Sequence, residues 1–170
     1  LDAGCGVGAF SEPLVAANTV YGVDFSVKSL EFAAQRGLKT VQGDLTALPF
    51  PDGKFDLVLC IGVIQLIPSY QRVIEELARV TKPEGTVLIQ TLHRGSIQRK
   101  LVNLYEQNKK FDKMYGMDEL EKVYRELGLG RIEFLKMYHP FSFVRTSGET
   151  GNLTDLFCTT FAIKGSKRIG

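Results

Sequence analysis

Apolar positions along the chain follow two spacings, and the switching between them predicts the elements. Short β-branched runs alternate with longer stretches whose apolar residues recur every three or four positions, the pattern of a parallel sheet flanked by helices. Thr19–Asp24, Leu38–Gly43, Phe55–Ile61 and Thr86–Leu92 read as strands. Phe55–Ile61 is apolar enough to be buried on both faces, with the turn Asp52-Gly53 before it. Ser26–Arg36 reads as a helix with Ser26 as its N-cap and Gly37 as its stop. Ser69–Thr81 reads as another: Val73, Ile74, Leu77 and Val80 share a face, Arg72, Glu75, Glu76 and Arg79 take the other, and Lys82-Pro83 ends it. The same periodicity predicts helices over residues 95–110 and 117–127. Gly128–His139 and Asp155–Lys164 read as closing strands, joined by a loop rich in Gly, Ser and Thr over Thr146–Asn152. With no repeat, linker or low-complexity tract, residues 1–170 read as one α/β domain, doubly wound around a mostly parallel sheet.

Composition narrows the classes. The 170 residues are 44% hydrophobic, enough for a core. Basic residues number 21 and acidic ones 19, a net charge of +2 that argues against a dedicated nucleic-acid binder. Cys5, Cys60 and Cys158 are far apart and form no CxxC pair, which argues against a disulfide framework and a structural zinc site and points to a reducing, cytoplasmic setting. No apolar run approaches the ~20 residues of a membrane span, and no signal peptide is visible. Leu1 runs directly into Asp2-Ala-Gly-Cys-Gly, so only the end of the buried strand that should precede such a turn is present. The expectation is an N-terminally truncated fragment lacking part of its first strand.

The chemistry begins at Asp2-Ala-Gly4-Cys-Gly6-Val-Gly8. Alternate glycines permit backbone angles closed to other residues and let the chain approach a ligand closely. The turn should open a helix, whose free N–H groups would lie nearby. Gly4, Gly6 and Ala9 also fit G-x-G-x-x-A, which keeps a nicotinamide- or flavin-dependent reading open, and a tight turn without a ligand is the bland alternative. Asp24 closes the next strand, where a carboxylate can accept two hydrogen bonds from a ribose diol; a helix cap is the plain alternative. Asp44, in Gly43-Asp44-Leu45, follows the third strand and can accept from an exocyclic amine; alone it would pass for a turn residue. Open parallel sheets bind ligands beyond the carboxyl ends of their strands. A ligand lying across Asp2, Asp24 and Asp44 would meet a glycine turn, a diol acceptor and an amine acceptor in order, which matches an adenosine derivative.

These segments resemble the class I S-adenosylmethionine-dependent methyltransferases, of the type 11/25-like small-molecule branch. Leu1–Gly8 resembles that family's first motif, Val23-Asp24-Phe25-Ser26 its second and Gly43-Asp44-Leu45 its third. Leu48–Val58 resembles the approach to the fourth strand, and Arg79–Leu88 the segment before the fifth. The resemblance covers residues 1–92. It implies a Rossmann-like sheet of order 3-2-1-4-5-7-6 with strand 7 antiparallel, and S-adenosyl-L-methionine as cofactor. It implies that Asp2, Gly4 and Gly6 line the methionine and ribose end, Asp24 and Phe25 hold the ribose and adenine edge, and Asp44 and Leu45 hold the adenine. Cys60 and Ile61 should lie beneath the methionine moiety. Pro83-Glu84-Gly85 stands where the family often has Pro-Gly-Gly, a change expected to be harmless.

The acceptor is less legible. Displacement at a sulfonium needs alignment and exclusion of water, and a base only where the acceptor must lose a proton. His93, after the fifth strand, is the candidate base, against the bland reading of an exposed loop histidine; His139 ranks below it. Cys60-Ile-Gly-Val stands where an Asn-Pro-Pro-Tyr run would imply amino-group methylation of DNA bases, Asn or Gln. Arg94, Arg99, Lys100, Lys109, Lys110 and Lys113 lie among apolar residues, either as a platform for a lipid-like or anionic small molecule or as a solvated helix face. The leading expectation is a small-molecule methyltransferase. The alternatives are an NAD(P)-dependent oxidoreductase and a non-catalytic nucleoside-binding module.

Overall fold

The computed structural model describes residues 1–94, 96, 114–138, 143–147 and 160–168. Among the described residues eight strands form one sheet: β1 (Asp2–Ala3), β2 (Tyr21–Asp24), β3 (Lys39–Gln42), β4 (Phe55–Ile61), β5 (Thr81–Leu92), β6 (Leu129–Tyr138), β7 (Phe143–Ser147) and β8 (Thr160–Lys167). Their order is β3-β2-β1-β4-β5-β8-β6-β7. Strands β1 to β5 pair in parallel, and β8 inserts antiparallel between β5 and β6. This is the expected order with the last strand between the fifth and sixth, plus one more strand. That addition, β7, runs antiparallel on the outer edge of β6 and takes up the first two residues of the loop expected over Thr146–Asn152.

Four described helices connect the strands: α1 (Glu12–Val15), α2 (Val27–Gln35), α3 (Tyr70–Val80) and α4 (Met117–Glu126). The α2 start matches its sequence signal, because the Ser26 side chain accepts from the Ser29 N–H at 3.2 Å. Helix α3 buries Val73, Ile74, Leu77 and Val80 completely, the apolar stripe its sequence shows. The helix expected over residues 95–110, most of the basic stretch after His93, and His139 lie outside the described residues.

Helices α3 and α4 close one face of the sheet. Val58, Cys60, Val87, Ile89, Phe161 and Ile163 are buried there with Tyr124. A smaller cluster of Cys5, Val20, Leu30, Ala33 and Leu38 lies under α2. The expectation that β4 is buried on both faces fails: Val58 and Cys60 are 0% exposed, but Leu57 on the alternate face is 39% exposed. The alternation belongs to a strand packed hard on one face only. No described helix is long and apolar enough to cross a membrane.

Strand β5 begins five residues before its expected start. Thr81 pairs with Phe55, and the register shifts between Phe55 and Leu57. Glu84 sits within this irregularity at φ +61, the left-handed region that disfavours a side chain. The Pro83-Glu84-Gly85 change therefore carries a backbone cost.

Candidate ligand-binding cleft

At the carboxyl ends of β1 to β4 the surface opens into a cleft of roughly 760 Å³, a size usual for small-molecule sites. Gly4, Asp24, Phe25, Asp44, Leu45 and Ile61 reach its walls, so six of the expected site residues meet in one space. Of the glycine turn, Gly4 lines the cleft. Gly4, at φ +80, sends its N–H to the Val23 carbonyl at 2.7 Å, and a Cβ there would lie 2.5 Å from Val63 Cγ2. Gly6, at φ +50, has nothing within 4 Å of where its Cβ would stand. A glycine is needed at Gly4 because the protein fills the space, and at Gly6 the space is left open beside Asp24.

Asp24 ties this turn to the next loop. Its Oδ2 accepts from the Gly6 N–H at 2.8 Å and its Oδ1 from the Ser26 N–H at 2.9 Å. Each oxygen keeps a second lone pair, enough for the two hydroxyls of a vicinal diol. Asp44, just past the end of the neighbouring strand β3, is exposed on the same cleft. Its Oδ1 accepts from the Thr46 N–H at 2.8 Å, and this bond holds its carboxyl below the usual carboxylate range. Leu45 is buried beneath it, while Phe25 is 84% exposed on the rim, a large apolar surface facing water.

Three expected residues stand apart from the walls. Asp2 is buried at 2% exposure; its Oδ2 accepts from Ser11 Oγ at 2.7 Å, and burial raises its carboxyl above the ordinary value. It braces the turn from below. Gly6 contributes its backbone through Asp24. Cys60 is fully buried on the helix-packed face, and burial pushes its thiol up to about 12. Successive β4 residues face opposite sides, so Cys60 and Ile61 cannot share a wall. Nor does the glycine turn open directly into a helix. Turns bonded from Gly8 to Cys5 and from Ser11 and Glu12 to Gly8 intervene, and α1 is a single turn with Pro13 near its start.

His93 is not an exposed loop histidine. It is 6% exposed, bridges to Tyr115 and stands edge-on to the Phe161 ring at 5.6 Å. Sequence reasoning missed the segment after β4. Gly62, Val63, Leu66, Ile67 and Ser69 form the cleft's far wall, and Ile64–Leu66 is a 3₁₀ turn. Its signal was the apolar run Gly62–Pro68, too short for a helix and standing directly after a strand.

A family model described as a methyltransferase domain matches residues 1–89. The demethylmenaquinone methyltransferase of Bacillus licheniformis is 30% identical over 173 residues, covering 84% of this chain and 73% of that protein. The malonyl-[acyl-carrier protein] O-methyltransferase of Erwinia pyrifoliae is 41% identical over 101 residues, covering 58% of this chain and 38% of that one. The chain spans between 38% and 65% of the length of the first curated relatives it matches. A SAM-dependent methyltransferase of known structure from Thermotoga maritima shares the fold, with a TM-score of 0.81 at 22% identity, covering 98% of this chain and 81% of that one.

Proposed function

Because the chain belongs to the methyltransferase domain family, we propose that it transfers a methyl group from S-adenosyl-L-methionine to a small-molecule acceptor, acting as one domain over residues 1–170. The carrying observation is the convergence of Gly4, Asp24 and Asp44 on one cleft. The fit is chemical as well as spatial. Asp24 has a free lone pair on each oxygen for the ribose diol, Asp44 presents an exposed carboxylate to the adenine amine, and the open space at Gly6 admits the sugar. Phe25 gains cover when a purine lies against it. The family membership leaves the nicotinamide reading of Gly4, Gly6 and Ala9 without support.

The cofactor supplies an activated methyl group on a sulfonium, whose departure leaves a neutral thioether. What remains to this chain is positioning. The turn and Asp24 hold the nucleoside, while Ile61, Val63, Leu66 and Ile67 give the far wall an apolar surface that excludes water from the methyl. The relatives named for demethylmenaquinone and for malonyl-[acyl-carrier protein] support an acceptor that is quinone-like or carries an acyl chain.

Isothermal calorimetry tests the reading. S-adenosylmethionine and its demethylated product, S-adenosylhomocysteine, should both bind, and Asp24→Ala should weaken both by at least tenfold. Preference for NAD over both would remove the proposal.

A further inference from the structure

Next to the far wall, two amide side chains converge, Gln65 from the 3₁₀ turn and Gln90 from β5. A Cβ built on Gly62 would lie 3.7 Å from Gln90 Oε1 and 3.8 Å from Gln65 Nε2. Gly62 itself lines the cleft, at φ +69, with its N–H on the Gln90 carbonyl at 3.0 Å. Gln65 belongs to the 3₁₀ turn and is 7% exposed. Its Oε1 accepts from the buried hydroxyl of Thr91 at 3.0 Å, which fixes the amide with its nitrogen turned away from that bond. Among the described residues, Gln65 Nε2 has no hydrogen-bond partner, and no side-chain bond engages the Gln90 amide. The turn carrying Gln65 is pinned once more, by Tyr115 Oη donating to the Ile64 carbonyl at 3.1 Å. With no protein partner, and not sealed from solvent although the residue as a whole is buried, Nε2 is an oriented donor left open to a ligand beside the cleft.

Resting on the cofactor reading above, the geometry points to Gln65 as a specificity-determining residue that donates from Nε2 to the oxygen of the methyl acceptor. A donor there favours an oxygen lone pair and opposes a protonated amine, which would set N–H against N–H. The cleft's carboxylates, Asp24 and Asp44, are committed at the far end, on β2 and after β3, and His93 is buried against Phe161. A neutral amide takes no proton. Among the described residues that line the cleft no further base stands at this end, so the proposed acceptor is an acidic hydroxyl that ionises by itself, of the phenol or quinol class. Its oxyanion gives a lone pair to the methyl carbon as the carbon–sulfur bond breaks; the pair stays on sulfur, and both charges are neutralised. Gln65 Nε2 stabilises the oxyanion and aims it.

The test uses the whole chain with labelled S-adenosylmethionine and two probes, a naphthoquinol and octylamine. The naphthoquinol should be methylated and octylamine should not. Gln65→Leu should raise KM for the naphthoquinol about tenfold, the loss of one hydrogen bond to a charged group. Gln65→Glu, which keeps an acceptor for Thr91 but faces the oxyanion with a carboxylate, should cost more. Both variants should bind S-adenosylhomocysteine within twofold of the parent, and the pH profile of kcat/KM should follow the quinol's own ionisation. Octylamine methylated in preference, neither probe methylated while S-adenosylhomocysteine still binds, or variants with unchanged KM would overturn the assignment of Gln65 alone. Absence of S-adenosylhomocysteine binding by the parent would overturn the cofactor reading beneath it.

Discussion

Two alanine substitutions in the same turn should do different damage, mainly to stability at Gly4 and mainly to binding at Gly6. At Gly4 the new Cβ would meet Val63 Cγ2 at 2.5 Å and Cγ1 at 3.0 Å, with φ at +80. Left-handed backbone costs a non-glycine residue about 1–2 kcal/mol. The overlap adds about 1–3 kcal/mol, since β-branched Val63 is stiff and cannot swing away freely. Gly4→Ala should therefore lose about 2–5 kcal/mol. At Gly6 the φ of +50 is near the left-handed minimum, and nothing stands within 4 Å of the new methyl. Gly6→Ala should lose only about 1–2 kcal/mol. Yet its methyl enters the space beside Asp24 reserved here for the ribose, so S-adenosylhomocysteine affinity should fall at least tenfold. Urea unfolding at unchanged m-value measures the first effect and calorimetry the second. Equal destabilisation by the two variants would refute the steric argument. A folded Gly6→Ala variant that binds as tightly as its parent would refute the placement of the nucleoside.

Other substitutions probe the frame around the cleft. Arg79 donates to both Glu76 oxygens and to the Leu48 and Phe50 carbonyls, and Glu76 is nearly buried. Arg79→Ala should cost about 2–4 kcal/mol in chemical denaturation, the range for a broken buried pair reduced for the part-exposed arginine. Burial raises the folded pKa of Asp2 above its unfolded value, so the fold favours the protonated acid. That contribution is full below the ordinary carboxylate value and is lost as pH rises through the raised one. Asp2→Asn should gain stability over the parent across that rise, read as the difference in Tm at successive pH values; a constant difference would contradict it. Glu84→Gly should raise stability by up to about 1 kcal/mol by relieving φ +61, seen as a higher Tm. Cys5 and Cys60 thiols are both pushed up to about 12 by burial, so peptide mapping after iodoacetamide at pH 8 should find neither alkylated until the protein is unfolded.

The legible parts of this molecule are those whose causes lie within a few residues. The stripe on α3, the Ser26 cap and the strands β2 to β4 follow from spacing and cap chemistry, and the structure places them within two residues of expectation. The convergence of Asp24 and Asp44 was legible for a further reason. Parallel strands joined by right-handed crossovers put every carboxyl end on one edge, so strand-end acids must be neighbours. Cys60 shows where that logic stops. Being at a strand end fixes height along the sheet, while the side chain's face depends on pleat parity. Parity sends Cys60 into the core and leaves Ile61 to the cleft.

The far wall was illegible because its cause is distributed along the chain. Nothing near Gln65 in sequence says that its amide is held. The holding group is Thr91, 26 positions on, and their meeting depends on β4 and β5 pairing with Ile61 opposite Gln90. That register is itself offset by the irregularity between Phe55 and Leu57. His93 was misread for a related reason. A histidine just past a strand normally reaches a loop, but β8 runs antiparallel beside β5 and brings Phe161 against the ring. The two ends of the cleft thus differ in kind. Its nucleoside end is built from short motifs that each announce themselves, and its acceptor end from pairings that exist only once the sheet has closed. Relatives can therefore keep the first end recognisable while changing the second, since shifting one strand's register re-aims an amide without touching any motif.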